Sequence, residues 1–365
     1  MSASRIGFYV HHHGRGHANR TREIIKHLSG EIFVFGSDLS LLEGSQDSQV
    51  ILQPLASDVD EHTKHDEDWA PVVHYAPLGI AGIRQRMYTM ARCFAECSLD
   101  LLVVDVSVEA AMLARLCGMP TIYSRQHGYR NDEAHQTAFK NAASLLAPFP
   151  LDWEEPETPN WVQEKTFYAG GFSRFEQQML TRFEARTLAN MDAHQQHVVV
   201  MAGFGGTSGE YSELAETARQ NPQWQWWVLG PVPELLNSPD NLRFVGVVDN
   251  PGHFLKGADV VVASAGNNTV MELAQLKARY ICIPEARPFD EQLSKARILA
   301  HKNAALVLPR WPEPADWQHH LSQVFGTDPE ALHSVIVEDA AQRAAEHIEE
   351  VARQYSTDPV KMLHH

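Results

Sequence analysis

The sequence predicts an α/β protein made of two similar open-sheet halves that face each other across a cleft. Three observations predict it. Short apolar runs recur along the whole chain; most are continuous rather than alternating, as strands buried on both faces of a parallel sheet require; and helical patterns fill the intervals between them. At roughly 150 residues per domain, the 365 residues supply two domains, and 44% hydrophobic with 21% charged residues is enough for a full core in each.

The first half takes its strands from residues 6–10, 32–35, 50–55, 101–106, 121–123 and 145–149. Helical patterns at 20–28 and 110–117 end at Gly30 and Gly118, the residue type that most readily closes a helix. The rhythm breaks at about 150–195, where Trp153-Glu154-Glu155-Pro156-Glu157-Thr158-Pro159 is followed by a polar helix expected over 174–193. The domain junction belongs there, giving an N-terminal Rossmann-like domain at 1–165, a C-terminal one at 166–330 and a helical tail at 331–365. The second half takes strands from 198–202, 226–229, 242–245, 260–263, 280–283 and 305–308, with a helix at 269–276. Residues 329–354, rich in Ala, Glu and Arg with apolar positions at helical spacing, read as terminal helices packed on the body.

Thirty Lys+Arg against 46 Asp+Glu leave a net charge of −16, which argues against holding nucleic acid or anionic lipid by general electrostatics. No apolar stretch approaches the roughly 18 residues that cross a bilayer, and no signal-peptide pattern opens the chain, so the expected address is cytoplasmic, with peripheral membrane association left open. Cys93, Cys97, Cys117 and Cys282 lack paired metal spacing and read as reduced packing thiols. The acidic stretch 58–68, with His62 and His65, reads as a solvated loop.

Each half opens with a strand that runs into a small-residue turn and a helix. In the first, His11-His12-His13-Gly14-Arg15-Gly16-His17-Ala18-Asn19-Arg20 brings backbone close to a ligand and aims helix N–H groups at an anion. His17 near the helix start is kept neutral by the helix dipole and is available as a base. The spacing matches neither Gly-x-Gly-x-x-Gly nor the P-loop. A plain tight turn, or a zinc site of His11, His13 and His17, would fit the same residues.

In the second half, Gly203-Phe204-Gly205-Gly206-Thr207 follows one strand and Ser264-Ala265-Gly266-Asn267-Asn268-Thr269 follows another. Amides there suit a phosphate, and the Glu272 carboxylate suits ribose hydroxyls. Thr269 and Glu272 also satisfy a capping-box pattern. Asp290, Glu291 and Gln292 follow the next strand, where acid and amide groups suit sugar hydroxyls, although an acid-rich helix start would look the same.

These residues carry a family resemblance. Residues 198–310 resemble the nucleotide-sugar domain of GT-B glycosyltransferases, above all the family-28 group that includes the peptidoglycan N-acetylglucosaminyltransferase. Gly205, Gly206 and Thr207 are similar to that group's diphosphate loop, and 244–249, with Val247 and Val248, to its base-holding strand and turn. Ser264 and Gly266–Glu272 are similar to its phosphate-and-ribose segment, and Glu291-Gln292, beside Asp290, to its sugar-contacting pair. Gly14-Arg15-Gly16-His17, with Asn19, resembles the acceptor-side loop, and Arg125-Gln126-His127-Gly128 falls where these enzymes line the cleft. The long polar segment 58–86 stands where an acceptor-side loop would overhang that cleft.

The resemblance implies transfer of a sugar from a nucleoside diphosphate sugar, a UDP-sugar, to an unidentified acceptor hydroxyl. It implies inversion, His17 as base, no cofactor and no obligatory metal. A nucleotide-sugar hydrolase in which His17 activates water is the rival on the same fold. A third reading, a non-catalytic binding protein, is opposed by His17, Glu272 and Gln292 standing together.

Overall fold

The computed structural model describes residues 4–11, 15–43, 49–59, 72–176, 180–203, 211, 213–234 and 237–356, with the Arg15 side chain outside that set. Two compact units emerge, one running through Gly170 and resuming at Asp339, the other Gly171–Glu338.

The first unit is a seven-stranded sheet with every pairing parallel. Its strands are β1 (Arg5–Tyr9), β2 (Glu31–Gly36), β3 (Val50–Pro54), β4 (Leu101–Asp105), β5 (Thr121–Ser124), β6 (Ser144–Ala147) and β7 (Thr166–Tyr168), in the order β3-β2-β1-β4-β5-β6-β7. Ile6 sits beside Ile32 on one side and Leu101 on the other, so β1 is central and apolar on both faces. Helices α1 (Arg15–Ile25), α2 (Ala81–Glu96), α3 (Val108–Leu116), α4 (Glu133–Asn141) and α5 (Asn160–Lys165) connect the strands. Burying each Val or Leu of β4 is worth about 1.5–3 kcal/mol, which explains why the apolar runs declare themselves so plainly.

The second unit repeats the plan with six parallel strands: β8 (Gln196–Met201), β9 (Trp224–Leu229), β10 (Leu242–Gly246), β11 (Val260–Ala263), β12 (Tyr280–Cys282) and β13 (Leu306–Val307), ordered β10-β9-β8-β11-β12-β13. Helices α6 (Arg182–Leu188), α7 (Leu214–Gln220), α8 (Gly252–Gly257), α9 (Asn267–Gln275), α10 (Glu291–His301), α11 (Trp317–Gln323) and α12 (Pro329–His333) accompany it. The last helix, α13 (Ala340–Tyr355), returns to the first unit and packs on α1 and β4. Both sheets have the Rossmann order, in which the direction of winding reverses between the first and fourth strands and opens a ligand site at their carboxyl ends.

All twelve expected runs are strands. Three expectations need correction. The helix foreseen at 174–193 is only α6: Thr181 and Glu184 form a capping box that starts it at Arg182, and Arg174 lies outside, bonded elsewhere. Residues 81–86 of the supposed long loop are the first turns of α2. Asp58, first of the stretch read as solvated, is 8% exposed and ion-paired to Arg86 at 2.6 Å; residues 60–71, with His62 and His65, lie outside the described residues. The four cysteines are free thiols. No described helix is long and apolar enough to cross a membrane.

Candidate active site

At the reversal point of the first sheet, His17 on α1 meets Asp105, the last residue of β4. His17 Nδ1 and Asp105 Oδ2 are 2.7 Å apart, with the side chains 15% and 6% exposed. Arg20, one helical turn on, donates to Asp105 Oδ1 at 2.5 Å. Against burial, which raises it, Arg20 and His17 hold the Asp105 carboxyl well below the usual carboxylate range. An ionised carboxylate can only accept, so the bond to Asp105 places a proton on Nδ1 and leaves Nε2 as the nitrogen turned to a ligand. Val106 directly follows with φ +56, a strained conformation for a β-branched residue, and it turns the chain sharply after the carboxylate.

Other polar groups gather at the same sheet edge. Arg86 donates to the Tyr9 hydroxyl at 2.9 Å, and Glu109 accepts from the backbone N–H of His74 and Tyr75 at 2.6 and 2.9 Å. Among the described residues, His74, Asp132 and His135 form one group whose ligand-type atoms lie within 4.8 Å. Its bonding speaks against a cation. Arg130 Nη1 lies 3.0 Å from His135 Nε2, which places the lone pair there and the proton on Nδ1, donated to Asp132 Oδ2 at 2.5 Å. A metal would need that Nδ1 lone pair. Burial, with Arg130 and His74 nearby, lowers His135 to about 3, so the ring is neutral.

Gln126 is 9% exposed, and its Oε1 accepts from Arg130 at 3.4 Å. His127 is fully buried: Nε2 lies 2.9 Å from the Trp153 carbonyl and the ring packs on Phe149 at 4.1 Å, so it sits in the core and turns no face to solvent. Arg125 is likewise buried, with Nη1 and Nη2 donating to Glu154 at 2.6 and 2.9 Å. Gly16 and Asn19 are half-buried on α1 with His17, while Gly14 and the Arg15 side chain fall outside the described residues.

The reversal point of the second sheet lies between β8 and β11. Gly205, Gly206 and Thr207, expected there, are outside the described residues; the β11 side is clear. α9 starts at Asn267 after Gly266, so the capping box at Thr269 does not form and the N-cap brings no side chain to the helix start. Glu272 is 5% exposed; Arg174 Nε donates to its Oε1 at 2.8 Å, and Oε2 has no partner among the described residues. Burial raises the Glu272 pKa, opposed by Arg174.

Gln292, 5% exposed, stitches two turns together: its Oε1 accepts from Ala265 N–H at 3.1 Å and Glu285 N–H at 2.8 Å. Two N–H donors settle which end of the amide is oxygen. Phe289 and Asp290 are consecutive residues at φ +60 and +53, the sharp entry that sets Glu291 and Gln292 at the start of α10. Ser264 is half-buried in the β11–α9 turn and Asn268 half-buried in the first turn of α9; Val247 is exposed and Val248 half-buried after β10.

Three contributors carry no motif: Asp105, Arg174 and Lys295. Asp105 had a signal, since an acid ending an apolar buried strand stands where ligands bind. Arg174 and Lys295 had none, because which cation reaches a buried partner is decided by the fold.

Compared with known proteins, the chain matches the glycosyltransferase family 28 C-terminal domain over residues 226–325. An uncharacterized glycosyltransferase of Methanosarcina acetivorans is 27% identical over 110 residues, 29% of this chain and 28% of that protein. A Methanosarcina mazei counterpart matches over 27% of its own length, so the chain aligns with little more than a quarter of either. The Pasteurella multocida UDP-N-acetylglucosamine–N-acetylmuramyl-(pentapeptide) pyrophosphoryl-undecaprenol N-acetylglucosamine transferase is 25% identical over 256 residues, 68% of this chain and 70% of that one. Among solved structures, Acinetobacter baumannii MurG covers 95% of this chain and 99% of its own at TM-score 0.63 and 13% identity. The kitacinnamycin glycotransferase covers 97% and 100% at 0.68 and 15%.

Proposed function

We propose, for a chain of the GT-B fold that is a family-28-like glycosyltransferase, that it moves a sugar from a UDP-sugar to an acceptor hydroxyl with inversion. The observation that carries this reading is the 2.7 Å pairing of His17 with Asp105 at the reversal point of the first sheet. His17 Nε2 takes the proton of the acceptor hydroxyl as that oxygen attacks the anomeric carbon, and the ionised Asp105 stabilises the imidazolium that forms. One base and one displacement invert the carbon. On the donor side, the first-turn amides of α9 and the Gln292 amide neutralise the departing diphosphate, and Glu272 Oε2 accepts from the ribose.

The test is NDP release from a panel of UDP-, dTDP-, GDP- and ADP-sugars by the purified protein, with and without boiled cell extract as acceptor source. The expected result is slow release from a UDP-sugar alone, faster release with extract, and loss of both in His17→Ala at an unchanged melting temperature. Fast release that ignores extract would overturn the transferase reading in favour of hydrolysis.

A further inference from the structure

A lysine is among the largest fully buried side chains of the second unit. Lys295, on α10, is 1% exposed, and its ammonium donates to Asn267 Oδ1 at 2.5 Å. A buried ammonium is costly unless well held, and this one spends a hydrogen bond on the first residue of α9. An ammonium has only donors, so the Asn267 atom it meets is oxygen and the Nδ2 amino group is turned away from it. Nδ2 has no partner among the described residues.

Gln292, one turn earlier on α10, shows the same polarity. Its Oε1 is taken by Ala265 and Glu285 N–H groups, and its Nε2 has no partner among the described residues. Both side-chain amides therefore have their oxygens fixed to the protein and their amino groups left to donate. A site of donors only suits an oxygen-rich anion, and one flipped amide would put a carbonyl against it.

We propose that Lys295 is a positioning residue for the diphosphate: by holding Asn267 Oδ1 from within, it makes Asn267 present N–H donors to the phosphate oxygens. The inference rests on the donor-site reading above. Lys295 is 1% exposed and its ammonium bonds Asn267 Oδ1, so it acts through the asparagine it holds.

The experiment is calorimetry of wild type, Lys295→Met and Lys295→Gln with UDP, beside ligand-observed NMR titration with uridine, which lacks the phosphates. Lys295→Met is expected to lose about tenfold or more in UDP affinity, as for a hydrogen bond to a charged group, with uridine affinity unchanged. Lys295→Gln keeps a donor for Asn267 Oδ1 and should recover most of the UDP affinity. Unchanged UDP binding in Lys295→Met, parallel losses of UDP and uridine, or a Lys295→Gln as weak as Lys295→Met each overturn the proposal while leaving the donor-site reading intact. If wild type binds neither UDP nor any of dTDP, GDP and ADP, the donor-site reading itself fails and this inference with it. Should Lys295→Met not fold, Asn267→Ala must show the same selective loss of UDP, and retained affinity there overturns the proposal.

Discussion

An imidazole serves as a base only while one nitrogen keeps its lone pair, and at His17 that choice is made by Asp105 and guarded by Arg20. The arrangement predicts the behaviour of Asp105→Asn. Arg20 requires an oxygen at the Oδ1 position, so the new amide must turn its NH2 toward His17 Nδ1, which shifts the ring proton to Nε2 and removes the base. Turnover should fall about a hundredfold or more, with UDP affinity unchanged, and adding His17→Ala should cost little further because the two act as a unit. Wild-type turnover in Asp105→Asn would show that the base lies elsewhere. The low-held carboxylate contributes stability above the usual carboxylate range and loses it only as pH falls through its folded value, so the dyad persists in mild acid. His17 was legible because a glycine-flanked histidine after a strand is a local pattern. Asp105 was absorbed into an apolar run, since its partner stands 88 residues away and only the sheet order brings them together.

Between β6 and β7 the chain breaks the strand-helix rhythm, and the sequence shows only the break. What holds the segment is charge: Glu154 takes Arg125, the Tyr168 hydroxyl at 2.6 Å and the Thr158 hydroxyl at 2.7 Å, and Glu155 Oε1 accepts from Gly128 N–H at 2.6 Å. Three-residue β7 was illegible because its pairing to β6, not its composition, makes it a strand. Burial, with the neighbouring Glu154 charge, pushes Glu155 up to about 7, opposed by Gly128 N–H and Arg125. A raised carboxyl binds its proton more tightly folded than unfolded, so its contribution is full below the ordinary glutamate range and is lost as pH rises through about 7. Glu155→Gln keeps the acceptor for Gly128 and removes the charge. Wild type should therefore lose more melting temperature between pH 5 and pH 8 than Glu155→Gln, read by calorimetry in matched buffers with about one degree resolved per few tenths of a kcal/mol. Parallel curves would mean that Glu155 is already ionised at pH 5.

At the scale of the molecule, the chain leaves the first unit at Gly170 and comes back at Asp339, so that unit is made of two stretches of sequence. The helical spacing of the last stretch was legible, but an apolar stripe fits any matching groove and does not say which unit receives it. The recipient is identified by particular contacts. Ile348 and Val351 are buried with five alanines of α13, His347 stacks on Phe167 at 4.2 Å and meets the Ser144 hydroxyl at 2.8 Å, Arg343 donates to the Ala169 carbonyl at 3.0 Å, and Glu349 accepts from Ser29. Ile348 and Val351 alone are worth about 1.5–3 kcal/mol each, a large part of the roughly 5–15 kcal/mol that holds a domain. A chain ending at Glu338 should thus lose the fold of the first unit selectively. Hydrogen exchange followed by mass spectrometry is the suitable reading: amides of β4, β5 and β6 should lose protection, and those of β8, β9 and β11 should keep theirs. UDP affinity, carried by the second unit under the proposed function, should survive the truncation while turnover, which needs His17 and Asp105 in place, disappears. Loss of protection in both sheets together would mean that the two units fold as one cooperative body, and retention in both would mean that α13 only decorates the first.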